Sequence, residues 1–243
     1  MIYKIFKKIH FNFRFIFSAL FYIFSFRREN ILGEFENINI KSHEIIILAP
    51  HFDDEILGCL AIIHNYFKSK KITIVYITDG CKGGMKSQNS EYKNLRAKES
   101  ENAIKKITSN NYNTANYFLN LPDGEVSENK EKLKLEIGKL INETQTVFCP
   151  FIDDIHPDHK AVAEIVTELK AEKKFELYEY FVFYKYRSFI TNSDNIYISQ
   201  ISFWKAFKSL YFFKSQIYID FRKELCSRIN NKNYLTFFRT EKQ

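Results

Sequence analysis

Residues 51–55 read HFDDE and residues 153–160 read DDIHPDHK, and these two segments gather the side chains best suited to bind a metal and move protons. Each follows an apolar run, EIIILAP (44–50) and TVFCP (146–150), of the kind that forms a buried strand. If the chain turns into a helix after each strand, residues three apart share a face. That pairs His51 with Asp54 and His156 with His159, and Pro157 is compatible with a first helical position. Two imidazoles and one carboxylate suit zinc, which in catalytic sites takes three protein ligands and keeps a fourth position open. The expected ligands are His51, Asp54 and His159. Asp53 then projects differently from Asp54, toward the open position, as a general base would. His156, one turn before His159, is placed to give a hydrogen bond or a proton to a developing oxyanion or a leaving amine. Asp158 is placed to orient one of the imidazoles from behind. Helix capping and dipole compensation explain acids at a helix start equally well, but they leave His51, His156 and His159 without a reason. His10, His43 and His64 stand alone and read as ordinary surface or core histidines.

The elements that must position these groups follow from the hydrophobic pattern. Strands are expected at 44–50, 71–78, 116–120, 146–150 and 175–184, all rich in Ile, Val, Phe and Tyr. Helices are expected at 55–69, 91–107, 128–142 and 158–172, where apolar residues recur at three- and four-residue intervals. Strand and helix in alternation, with strands apolar almost throughout, predict an α/β fold. It is a doubly wound three-layer sandwich around a mostly parallel sheet. Ligand sites in such sheets lie beyond the carboxyl ends of the strands, where both loaded segments fall. The stretch 79–92, which holds Gly83 and Gly84, reads as a long mobile loop that frames the pocket. Residues 203–216 read as a helix, and the tail beyond as irregular, aromatic and basic.

A chain of 243 residues with 45% hydrophobic content is enough for one core with additions. The formal charge of +7 does not imply nucleic acid, because no recognisable binding motif accompanies it and the basic residues are scattered. Cys59, Cys81, Cys149 and Cys226 lie far apart and read as reduced thiols of a cytoplasmic protein. Residues 11–26, FNFRFIFSALFYIFSF, are apolar and aromatic between cationic flanks. A span needs about 20 apolar residues, and Arg14 leaves fewer. Two readings stand. One is an interfacial helix in residues 1–28 on the inner face of a membrane, and the other is a helix packed on the domain itself or on a partner chain. The chain thus divides into a basic aromatic segment, 1–30, and a single α/β domain, 31–243.

APHFDDEILGC (49–59) resembles the AHPDDE signature of the PIG-L/LmbE family of zinc-dependent N-acetylglucosaminyl deacetylases, and HPDHKAV (156–162) resembles its second motif. Further echoes follow in order: ITDG (77–80), RAKE (96–99), LPDGE (121–125) and KSQ (214–216). The resemblance covers about residues 42–217 and rests on the order of the motifs. It implies a Rossmann-like fold and removal of the acetyl group from an N-acetylated amino sugar conjugate, such as a glycolipid or a polysaccharide precursor. It implies His51, Asp54 and His159 as zinc ligands, Asp53 as base, and a protonated His156 as oxyanion partner or acid. Either Asp53 or His156 would then protonate the leaving nitrogen. The resemblance also makes Arg96 a contact for sugar or phosphate, although an exposed helix arginine paired with Glu99 fits the sequence as well. Asp123 would contact the substrate or brace the site, although an aspartate in PDG is also an ordinary turn residue. The chain departs from the family pattern at Phe52, where proline is usual, which relaxes a turn without removing a ligand. The rivals are a metal-dependent phosphoesterase, for which no obvious second ligand set is present, and a non-catalytic protein that keeps the fold.

Overall fold

The computed structural model describes residues 35–83, 90–110, 113–182, 195–216, 229–230 and 233–240. The N-terminal apolar segment, Gly84 and Cys226 lie outside the described residues. Among the described residues no helix is long and apolar enough to cross a membrane.

In chain order the strands are β1 (Glu36–Asn37), β2 (Glu44–Ala49), β3 (Lys71–Thr78), β4 (Thr114–Leu121), β5 (Thr146–Pro150), β6 (Glu176–Tyr180), β7 (Ile196–Ser202), β8 (Ile229–Asn230) and β9 (Asn233–Arg239). The helices are α1 (Asp54–Tyr66), α2 (Ser90–Ile107), α3 (Lys130–Leu140), α4 (Pro157–Glu172) and α5 (Phe203–Leu210). One sheet runs in the order β1-β7-β9-β6-β5-β2-β3-β4, with β8 paired to β9. The block β6-β5-β2-β3-β4 is parallel throughout. This is the expected mostly parallel α/β sandwich.

The central strands are apolar on both faces because helices cover both. Ile45, Ile47 and Ala49 of β2 enter a core shared with α1, α2 and α5, whereas Ile46 and Leu48 enter a second core shared with α3 and α4. Alternate residues of a strand point to opposite faces, so a run with no polar position fits only a sheet buried twice. Helix α1 passes beneath the sheet with residues 54–63 all buried. Gly58 lets it approach. A methyl group there would come within 2.2 Å of Cδ2 of Tyr180, whose hydroxyl donates to the Leu48 carbonyl at 2.8 Å.

The C-terminal part departs from expectation. Residues 233–239 are a buried strand rather than an irregular tail, and β9 lies antiparallel between β6 and β7. Tyr234 and Phe238 face the α1 side, while Leu235 and Phe237 pack with Phe151, Phe181 and Ile196 in a third small cluster. The helix expected over 203–216 ends at Leu210 and resumes as a 3-10 turn, Lys214–Gln216.

Gly58→Ala is expected to destabilise the protein by about 1–3 kcal/mol through overpacking against Tyr180. Gly138→Ala is the control. There the added methyl group meets only Leu169 Cδ2, at 3.5 Å, so the higher helix propensity of alanine adds roughly 0.5–1 kcal/mol. Chemical denaturation of the two variants checks the opposite signs.

Candidate functional site

Strands β2 and β5 are parallel neighbours. The chain leaves β2 toward β3 and leaves β5 toward β6, so their carboxyl ends form the point where the strand order reverses, the usual ligand position in open α/β sheets. HFDDE follows one strand and DDIHPDHK the other, and the side chains named from spacing meet there. His51 Nδ1 lies 3.3 Å from Asp54 Oδ2, His159 Nε2 lies 3.1 Å from the same oxygen, and the two ring nitrogens are 3.3 Å apart. Adjacent ligands of a tetrahedral ion with bonds of about 2.0 Å stand about 3.3 Å apart, so this triangle has the size of one face of such a site.

His156 is close by, with its ring 4.6 Å from that of His51 and 4.9 Å from that of His159. Nitrogens of the three histidines lie within 4.8 Å of one another, but Asp54 makes the tighter triangle. His156 is the N-cap of α4, its Nδ1 accepting the Asp158 amide hydrogen at 3.3 Å.

Each imidazole is held from behind. His51 Nε2 lies 3.1 Å from Asp158 Oδ2 and 3.4 Å from Asp123 Oδ1. Asp158 also accepts the amides of Gly124 and Val126, at 2.8 and 3.2 Å. Asp123 accepts the Lys82 amide at 2.8 Å. His51, Asp123 and Asp158 form a second group of metal-binding residue types. These carboxylates face Nε2 of His51, the nitrogen turned away from Asp54 and His159, which makes them orienting partners. His159 Nδ1 lies 3.2 Å from Asp154 Oδ2, while Asp154 Oδ1 accepts the His156 amide at 2.9 Å. Sequence reasoning gave Asp154 no role. The available signal was a second acid at a strand end, five residues before a histidine expected to bind metal.

Asp53 carries backbone strain beside the triangle. Its φ is 145° and ψ −21°, a conformation that costs a residue other than glycine on the order of 1–3 kcal/mol. Arg96 is buried. It donates from Nη2 to the Phe52 carbonyl at 3.1 Å and from Nη1 to the Gly80 carbonyl at 2.7 Å, and Nη2 is 3.6 Å from Asp53 Oδ2. The guanidinium lies so close to Gly83 that a Cβ there would stand 2.0 Å from Nη1. Arg96 is therefore not the exposed helix arginine allowed by the sequence. Its partner in that reading, Glu99, instead accepts the Ser215 amide and hydroxyl, joining RAKE to KSQ.

The electrostatics are those of charge removed from water. Burial alone would raise the Asp54 pKa, but His159 and His51 hold it well below the usual carboxylate range. Burial would lower the His159 pKa, yet Asp54 and Asp154 push it up to about 9. Burial raises Asp53 to about 7 against the pull of Arg96, and raises Glu55 to about 8 against its bond from Ser100. His156 is lowered by burial and by the neighbouring His51 and His159 charges.

In the metal-free protein these shifts set a pH dependence. Glu55 keeps its proton to about 8 when folded but loses it near 4.5 when unfolded, and His159 keeps its proton to about 9 against 6.5. The folded state binds more protons, so stability falls as pH rises. The Glu55 share is lost between 4.5 and about 8, and the His159 share between 6.5 and about 9. The denaturation midpoint of chelator-treated protein is expected to fall steadily from pH 6 to pH 9. Glu55→Gln should make that fall shallower below about pH 8 and leave the part above it, which belongs to His159.

A family model described as PIG-L, GlcNAc-PI de-N-acetylase, matches residues 46–170. No curated protein matches the chain significantly. Among solved structures, N,N'-diacetylchitobiose deacetylase from Pyrococcus horikoshii is similar at 19% identity with a TM-score of 0.67, covering 87% of this chain and 88% of that one. The conserved protein TT1542 from Thermus thermophilus is similar at 20% identity and TM-score 0.60, with coverage of 82% and 94%. The zinc-inhibited form of teicoplanin deacetylase Orf2 is similar at 11% identity and TM-score 0.61, with coverage of 82% and 100%. At these identities the structures speak for the fold, and the matched region, more than half of the chain, speaks for descent: the chain belongs to the PIG-L family.

Proposed function

We propose that the chain is a zinc-dependent hydrolase that removes the N-acetyl group from an N-acetylglucosamine-type sugar conjugate, a glycolipid or polysaccharide precursor. The observation that carries this reading is the triangle of His51, Asp54 and His159 with edges of 3.1–3.3 Å, beside the strained Asp53. Those three residues would hold the ion, and their donor set of two imidazoles and a carboxylate fits zinc. When bound, zinc supplies the Lewis acidity that activates water and polarises the acetyl carbonyl.

The chain's own residues account for the proton transfers. Asp53, raised to about 7 by burial, has the pKa of a base that works near neutrality. It accepts a proton from water as the water oxygen bonds to the acetyl carbon and the carbonyl electron pair moves onto its oxygen. His156 donates a hydrogen bond to that oxygen. Its Nδ1 accepts the Asp158 amide hydrogen, which leaves the Nε2 hydrogen to donate. The oxyanion pair then re-forms the carbonyl as the C–N bond breaks with its electron pair on nitrogen, and Asp53 returns its proton there, giving a free amine and acetic acid, which loses its proton to solvent as acetate. Arg96 and Asp123 serve this reaction through the groups they contact, Asp53 and His51.

The experiment is metal analysis of purified protein combined with acetate release from a panel of GlcNAc conjugates at one zinc per chain, since a neighbour on this fold is described in a zinc-inhibited form. Asp53→Asn is expected to lower kcat roughly 10²–10⁴-fold with zinc content unchanged. Unimpaired turnover in that variant, or no acetate from any conjugate, sinks the reading in favour of a non-catalytic relative.

The membrane part of the proposal rests on the cationic flanks and aromatic centre of residues 1–28, which would hold the enzyme at the inner, cytoplasmic membrane face. Deleting residues 1–28 should leave hydrolysis of a soluble GlcNAc glycoside intact and abolish binding to anionic vesicles. Undiminished vesicle binding refutes it.

A further inference from the structure

The peptide unit between Phe52 and Asp53 is held at both ends. Its carbonyl accepts from Arg96 Nη2 at 3.1 Å, and its N–H donates to Glu55 Oε2 at 3.0 Å. Asp53, the residue that follows this peptide, has φ 145°, a value that glycine adopts without penalty and aspartate does not. Turning about the Asp53 N–Cα bond to a negative φ would relieve that strain and would move the Asp53 side chain relative to this peptide.

Glu55 is itself anchored. The Ser100 hydroxyl donates to Glu55 Oε1, and Tyr76 and Ser100 share a hydroxyl hydrogen bond of 2.6 Å. Glu55, Ser100 and Tyr76 are fully buried. Ser100 lies four residues beyond Arg96 on α2, so both project from one face of that helix onto the HFDDE turn. Tyr76, near the end of β3, closes the chain of hydrogen bonds from below. No mechanistic step calls on Glu55, and an interior carboxyl group is costly unless it is hydrogen-bonded.

We propose that Glu55 and Ser100 are positioning residues that, with Arg96, clamp the Phe52–Asp53 peptide and so keep the general base in its strained, productive orientation. The inference rests on the deacetylase reading for the role of Asp53, but the clamp is a geometric statement with its own readout. Reaching back to the N-cap amide is also what a capping box does. Capping alone would cost stability without changing turnover.

The test compares E55A, S100A and E55Q with the zinc-loaded wild type. The side-chain amide introduced by E55Q can accept the Asp53 N–H through its carbonyl and donate its own hydrogen to Ser100, so this variant keeps the clamp without a carboxyl group. E55A is expected to lower kcat for acetate release from a soluble aryl GlcNAc glycoside by roughly 10²-fold, the scale of an ångström-sized misplacement. Its KM and zinc stoichiometry should match wild type. S100A should lower kcat by a smaller factor, and E55Q should restore most of it. Crystal structures of E55A and E55Q provide the second measurement: Asp53 should relax to negative φ in E55A and stay near its present value in E55Q. An E55A structure with Asp53 unmoved, or an E55Q variant as slow as E55A, overturns the clamp. A wild type that releases no acetate counts against the deacetylase reading, and the φ of Asp53 in E55A then decides the clamp alone.

Discussion

Asp158 joins three loops at one buried carboxylate. Its oxygens accept the amides of Gly124 and Val126 and lie against His51 Nε2. One charged group thereby fixes the start of α4, the turn after β4 and the imidazole after β2. A carboxylate taken fully out of water is tolerated only when donors replace its hydration, and here the donors come from the turns after two separate strands, β2 and β4. Removing any one of them would leave charge stranded, so the positions of His51 and His159 are set by the same requirement that makes the interior electrostatically acceptable. The same logic recurs at Asp154, which spans the His159 ring and the His156 amide.

What the sequence disclosed and what it concealed follow from the range of the interactions. β3 and β5 were legible to the residue because runs such as KITIVYIT and TVFCP are apolar on both faces. The triangle was legible because both loaded segments follow strand ends, although His51 and Asp54 meet across the turn before the helix, which begins at Asp54, and not on a helical face. β9 was missed because NYLTFFR is separated from the regular β-α alternation by a long stretch without a clear period. Its pairings with β6 and β7 are also antiparallel and join segments that no short turn connects. The supports of the site were hidden for a different reason. Glu55 meets Ser100 across 45 positions and Glu99 meets Ser215 across 116, and serine and glutamate are too common for such pairs to stand out in one sequence.

Phe52 illustrates how a departure from a family pattern is absorbed. Proline at this turn would restrict the backbone through its ring. Phe52 instead buries its ring against Tyr76 and Phe118, with centroids 5.1 and 6.0 Å away, while its carbonyl is bound by Arg96. Side-chain anchoring and a guanidinium replace a covalent restraint. Gly80 completes the arrangement, since a Cβ there would stand 2.7 Å from the Phe52 ring.

The insertion of β9 between β6 and β7 has a consequence for biosynthesis. Glu179 on β6 accepts the Ile152 amide at 3.3 Å and is gripped by Arg239 of β9, whose guanidinium also lies over the Phe151 ring at 4.7 Å. The segment that leads into His156 and His159 is therefore fastened to a strand made much later in the chain. A nascent polypeptide on the ribosome can assemble the parallel half of the sheet as it emerges, but β7 has no neighbour linking it to β6 until residues 233–239 have been translated. Late, sequence-distant pairing of this kind slows maturation, and until it happens an incomplete hydrophobic edge stands open to chaperones.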